Sequence, residues 1–192
     1  MEKNLGQTPS SCVKVVLFGP ESTGKTSLSK QLARYYDSVW VPEFARAYLQ
    51  EKWNNTKTTC TAEDLLPIAE GQINNENRLV SKANKVLICD TDLLETKVYS
   101  EAYYIGSCDP ILEKFALKNT YDMYFLTYID VPWEADDLRD KPTERKEMYD
   151  FFENTLIKYN RPYTVLKGSP KERLSQATQI IDDLILKNAS IY

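Results

Sequence analysis

Short apolar runs alternate with longer amphipathic segments along most of this chain. Val13-Lys14-Val15-Val16-Leu17-Phe18 predicts a first strand, and helical spacing follows to about Tyr36. Val39-Trp40-Val41 reads as a short second strand ended by Pro42, with a helix from Glu43 to about Trp53. Thr61-Ala62-Glu63-Asp64 is a helix start and opens an amphipathic segment to about Ala83. Val86-Leu87-Ile88-Cys89 is a compact third strand, and helical stretches cover Leu93 to Ala102 and Ile111 to Leu117. Tyr121 to Ile129 is the fourth strand. A helix from about Thr143 to Tyr159, a strand from Tyr163 to Leu166 and a helix from Lys171 to Leu186 complete the pattern. This alternation predicts a three-layer α/β/α fold around a mainly parallel five-stranded sheet. Ligands of such sheets sit at the carboxyl ends of the strands. Residues 1–11 are polar and expected to form a disordered tail, leaving residues 12–192 as a single domain.

The first strand runs into Gly19-Pro20-Glu21-Ser22-Thr23-Gly24-Lys25-Thr26, which fits G-x-x-x-x-G-K-[ST] at every fixed position. Strand, loop and helix follow in the order a P-loop requires. In that arrangement the loop of residues 19–27, Ser27 included, cradles phosphate oxygens with its backbone N–H groups (Pro20 has none) at a helix N-terminus. Lys25 reaches the β- and γ-phosphates and the Thr26 hydroxyl ligates Mg²⁺. Binding of a nucleoside triphosphate with Mg²⁺ as cofactor is expected, and the use of the γ-phosphate is left open by the motif alone.

Composition narrows the chemistry. The 192 residues contain no histidine, which removes Ser-His-Asp hydrolysis, His-ligated metals and His acid–base catalysis together. Proton transfer must then fall to groups such as carboxylates. A net charge of −4 without a large basic block predicts neither a nucleic-acid nor a membrane partner. The four cysteines form no C-x-x-C pair and read as reduced thiols of a cytoplasmic protein. No apolar run approaches the roughly 20 residues of a membrane-spanning helix.

Several polar residues then fall at telling positions. Asp90 closes the third strand where a Walker-B acid would hold Mg²⁺ opposite Thr26, and Asp92 follows, facing metal or acceptor. Asp90 could instead cap the next helix. Glu43 is the first acid after the second strand, placed to orient an acceptor hydroxyl and take its proton, with Arg46 one turn later. A first-turn salt-bridge pair is the plainer alternative. The charged stretch from about 131 to 147 is expected to be a helical lid, with Arg139 and Arg145 over the transferring phosphoryl group and Trp133 stacking on a ring or anchoring the loop. Gly71 inside a helix costs about 1 kcal/mol relative to alanine. Close approach of a ligand or another helix would explain it, and Gln72 beside it could bond a polar substrate.

The segments Phe18 to Thr26, Pro42-Glu43-Phe44-Ala45-Arg46, Ala69-Glu70-Gly71-Gln72, Cys89-Asp90-Thr91-Asp92 and Trp133 to Arg139 occur in one order. Together they resemble the ribosylnicotinamide kinase domain of NadR-type proteins, within the P-loop kinase-like folds, from about residue 13 onward. The resemblance implies ATP-dependent phosphorylation of nicotinamide riboside to nicotinamide mononucleotide. It implies Lys25 and Thr26 on ATP and Mg²⁺, Glu43, Arg46 and Asp92 in the riboside pocket, and Arg139 and Arg145 in the lid. Fused family members carry an H-x-G-H adenylyltransferase domain; with no histidine here, that second activity is not expected. The tryptophan associated with the position before the pocket glutamate is Pro42 in this chain, and Trp40 lies two residues earlier. A kinase of another nucleoside or nucleotide, or a regulatory P-loop ATPase, remains as an alternative. Against a GTPase switch, Asn84-Lys85-Val86-Leu87 lacks the aspartate of a guanine-reading N-K-x-D.

Overall fold

The computed structural model describes residues 4–104, 108–138 and 143–190. Five strands, β1 (Val13–Phe18), β2 (Trp40–Val41), β3 (Val86–Asp90), β4 (Met123–Thr127) and β5 (Tyr163–Leu166), form one sheet in the order β2-β3-β1-β4-β5. Every pairing is parallel, with Val15 opposite Ile88 on one side and Met123 on the other. Seven helices connect or follow them: α1 (Lys25–Tyr35), α2 (Phe44–Thr56), α3 (Ala62–Leu79), α4 (Leu93–Tyr103), α5 (Pro110–Lys118), α6 (Arg145–Lys158) and α7 (Pro170–Ala189).

The strand period of two builds the three layers. Val13, Val15 and Leu17 face α1 and α7, where Leu28, Leu32, Ala177 and Ile181 close one core. Val16 and Phe18 face the other way, into a larger core with Leu87, Cys89, Tyr124, Leu126 and residues of α3 to α6. Phe18 sits edge-on to Tyr124 and Phe152 there. Helix starts are fixed by side chains: Thr61 and Asp64 form a capping box on α3, Ser169 and Glu172 one on α7. Among the described residues no helix is long and apolar enough to cross a membrane, and all four cysteines are free.

Two expectations need correction. From residue 4 the N-terminal segment is laid down on the fold rather than disordered. Leu5 is buried in the larger core, and its carbonyl accepts from the Asn119 side chain at 3.0 Å. Gln7 donates to Glu76 at 2.8 Å, so one apolar residue and a set of matched polar partners outweigh the polar composition. The lid is helical only at its end: residues 131–138 are irregular, and α6 supplies a helical part from Arg145 onward. Pro132 lacks a donor, and the Asp136 carboxylate takes the Leu138 N–H at 2.9 Å, which competes with a helical turn.

Candidate active site

The carboxyl ends of β1, β3 and β4 converge on the P-loop. Gly19 has φ +134, and a Cβ there would lie 2.9 Å from Thr127 Oγ1, so the loop leaves β1 through a position only glycine fills well. Thr127 ends β4 and lies 2.7 Å from the Thr23 hydroxyl, tying the loop to the strand beneath it. Gly24, at φ +86, is the N-cap of α1. Pro20 and Thr23 are buried, Glu21 and Ser22 half-buried, and Gly24, Thr26 and Ser27 open to solvent. The exposed members therefore surround the α1 N-terminus, where phosphate would sit.

Lys25 folds into this loop. Its ammonium donates to the carbonyls of Gly19 at 2.5 Å and Pro20 at 3.0 Å and forms an ion pair with Glu95 at 3.2 Å. Burial alone would lower its pKa, but Glu95, then Glu43 and Asp90, outweigh that and hold it raised. Those three carboxylates and Lys25 thus share one electrostatic field. Asp90 closes β3 and accepts from the Thr26 hydroxyl at 2.6 Å through Oδ2, while its buried Oδ1 has no hydrogen-bond partner. Burial, reinforced by Glu43, pushes the Asp90 carboxyl up to about 7. A hydroxyl and an acid with a spare, buried oxygen make a donor set suited to a hard cation such as Mg²⁺. No cluster of three or more His, Cys, Asp or Glu side chains fit for a metal occurs among the described residues, so phosphate oxygens would complete the coordination. Glu43 is half-buried at the N-cap of α2, where its side chain makes no capping bond.

Asp92 and Gln72 do not reach the cleft. Asp92 is 1 % exposed and N-caps α4, accepting from the Glu95 N–H at 3.0 Å and the Tyr124 hydroxyl at 2.8 Å. Both oxygens are committed inside the protein, so Asp92 is a helix cap rather than the metal or acceptor contact expected of it. Burial lifts its carboxyl to about 6 despite those donors. Gln72 is likewise buried: its carbonyl accepts from the Phe44 N–H at 2.8 Å and its amide lies 3.3 Å from the carbonyls of Asp90 and Thr91. It ties the start of α2 to the end of β3 and so holds Glu43 near Asp90.

Gly71 serves the same junction. A Cβ there would lie 2.2–2.3 Å from the Phe44 ring, the residue after Glu43. We expect Gly71→Ala to destabilise the fold by roughly 1–3 kcal/mol through overpacking, against a helix-propensity gain of about 1 kcal/mol. Thermal melting checks this: the variant should melt lower in the native background and higher once Phe44→Ala has removed the ring.

Above the loop, the segment after β4 is joined to both sides of the cleft. The Glu134 N–H donates to Ser22 Oγ at 2.8 Å, and Arg46 on α2 bonds Asp136 at 2.8 Å. Arg145 donates to the carbonyls of Val131 at 2.9 Å and Ser22 at 3.3 Å and stands 5.7 Å from the centre of the Trp133 ring. Trp133 lines a hollow with Tyr99, Tyr103, Met148 and the loop residues Pro20 and Glu21. Arg139 lies outside the described residues.

Two contributors escape sequence reasoning. Glu95 is 2 % exposed and stands beneath the loop, accepting also from the Gly19 N–H at 3.3 Å; burial lifts its carboxyl well above the usual range. Its spacing after Asp92 reads as a capping box, which conceals the contact with Lys25. Arg173 on α7 donates to the carbonyls of Thr23 at 2.6 Å, Gly168 at 3.1 Å and Tyr128 at 2.9 Å and pairs with Asp130. Nothing local in the sequence marks it, because its partners are brought to it only by the sheet.

The chain is similar in sequence and fold to known proteins. The chain is 29 % identical over 145 residues to the trifunctional NAD biosynthesis/regulator protein NadR of Escherichia coli K12, covering 74 % of this chain and 34 % of that protein. It thus spans about a third of the length of the curated relatives it matches. A NadR crystal structure in complex with NAD and AMP-PNP superposes at TM-score 0.72 over 90 % of this chain and 49 % of that one, at 21 % identity. Another, in complex with NR, superposes at 0.67 over 82 % and 46 %, also at 21 % identity. Thymidylate kinase of Ehrlichia chaffeensis shares the fold at TM-score 0.65 and 15 % identity, over 88 % of this chain and 98 % of that one. The AAA domain pattern runs from residue 14 in β1 to Arg173, the residue that anchors the P-loop, and the chain belongs to the AAA domain family.

Proposed function

We propose that this protein transfers the γ-phosphoryl group of ATP to the 5′-hydroxyl of a small nucleoside-like acceptor, nicotinamide riboside foremost, giving nicotinamide mononucleotide. The observation that carries the phosphoryl-transfer reading is the P-loop cluster itself: Lys25 amid Glu95, Glu43 and Asp90, with the Thr26 hydroxyl on Asp90. Similarity to NadR supports the acceptor.

In this reading the α1 N-terminus and Lys25 hold the β- and γ-phosphates, and Thr26 and Asp90 hold Mg²⁺. Bound there, the metal neutralises charge on the phosphates. Glu43, at the α2 N-cap and free of a capping bond, receives the acceptor hydroxyl and its proton. Arg46 and Trp133 border the acceptor, while Asp92 and Gln72 keep the supporting roles described above. Arg145 and the segment around 131–147 close over the site and exclude water.

A coupled ADP-release assay with Mg·ATP and a panel of nucleosides tests the reading. ADP release should depend on acceptor and be fastest with nicotinamide riboside. Release that ignores every acceptor would point to a regulatory ATPase instead, and preference for another nucleoside would replace the acceptor while keeping the kinase.

A further inference from the structure

Glu95 is a buried acid three residues into α4, and the phosphoryl-transfer chemistry does not require it. Its position relative to the P-loop is nevertheless specific. One carboxylate oxygen accepts from the Gly19 N–H at 3.3 Å and the other is ion-paired with Lys25 at 3.2 Å. Lys25 is 8 % exposed and its remaining partners are neutral carbonyls of the same loop. A buried ammonium needs a counter-anion, and Glu95 is the one in contact with it.

We propose that Glu95 is a positioning residue that competes with the nucleotide phosphates for Lys25: it holds the ammonium inside the loop and must surrender it when a triphosphate binds. The inference rests on the nucleotide-site reading above. Binding then exchanges one anion for another on Lys25 and leaves the Glu95 carboxylate buried without its cation, close to new negative charge. Both effects oppose triphosphate binding, so the acid weakens ATP affinity while stabilising the empty enzyme.

Glu95→Gln keeps the size and a carbonyl for the Gly19 N–H but removes the charge. Isothermal titration should show Mg·ATP binding at least about tenfold tighter than wild type, the scale of a charged hydrogen bond. Adenosine, which has no phosphate for Lys25, should bind both proteins alike. The variant should also melt lower than wild type when empty and recover most of that loss with saturating Mg·ATP. A support role alone would weaken both ligands or neither, so Mg·ATP binding that is unchanged or weaker in the folded variant overturns the proposal. If the glutamine variant does not fold, Glu95→Met decides by the same criterion, because it fills similar volume and also removes the charge beside Lys25. Failure of wild type to bind Mg·ATP would remove the nucleotide-site reading and this inference with it; wild-type binding without a gain in the variant would remove this inference alone.

Discussion

Glu43→Gln is expected to cut turnover by roughly 10²–10⁴-fold, the range for loss of a general base, with little change in Mg·ATP affinity. Glutamine preserves shape and a hydrogen-bond acceptor but cannot take a proton. Glu43 is the carboxylate in the cluster without a structural duty: Asp90 holds the Thr26 hydroxyl, Glu95 holds Lys25, and Asp92 caps α4. Its position does not depend on its charge. Gln72 fixes the next backbone N–H and Phe44 packs against Gly71, so the α2 start stays in place in the variant. The KM for the acceptor should therefore move much less than kcat. Single-turnover measurement of phosphoryl transfer under saturating substrates reads the effect directly, and an unchanged rate would remove Glu43 as the base.

The sequence carried the fold because the signals that specify it are local. Period-two alternation in Val13–Phe18 assigns each side chain to one of two cores, and short apolar strands between helices leave few alternatives to a parallel sheet. The P-loop was legible for the same reason, since loop, lysine and hydroxyl are contiguous. The Asp90–Thr26 contact followed from a rule about strand ends. The rest was hidden where one residue type serves two purposes. Asp92 and Gln72 read as site residues in sequence, yet nearby backbone groups and the Tyr124 hydroxyl claim their polar atoms. Burial of the N-terminal segment depended on Leu5 joining a core gathered from distant parts of the chain, with its carbonyl held by Asn119, and no window of sequence contains that information. The same distance conceals Arg173 from its loop.

Arg173→Met should therefore damage the protein more than any other change remote from the proposed chemistry. The guanidinium is 4 % exposed and joins three parts of the site: the P-loop at Thr23, the end of β4 at Tyr128 and Asp130, and the turn before α7 at Gly168. Methionine replaces much of its stem but leaves the three carbonyls without this donor and Asp130 without its cation. Breaking a buried ion pair from one side costs about 3–5 kcal/mol. The lower end applies here, because the Asp130 side chain is 29 % exposed and water can reach it. Equilibrium urea unfolding should show a midpoint lowered by roughly 1–3 M with an unchanged slope, given slopes of about 1–3 kcal/mol/M. Arg173→Lys should fall between the two, since one ammonium cannot span the partners of a planar fork. Because Thr23 lies within the phosphate loop, the loss should extend to function. Mg·ATP affinity should fall in Arg173→Met under conditions where the protein remains folded, and a variant that loses stability but binds Mg·ATP as wild type does would show that the loop holds its shape without this anchor.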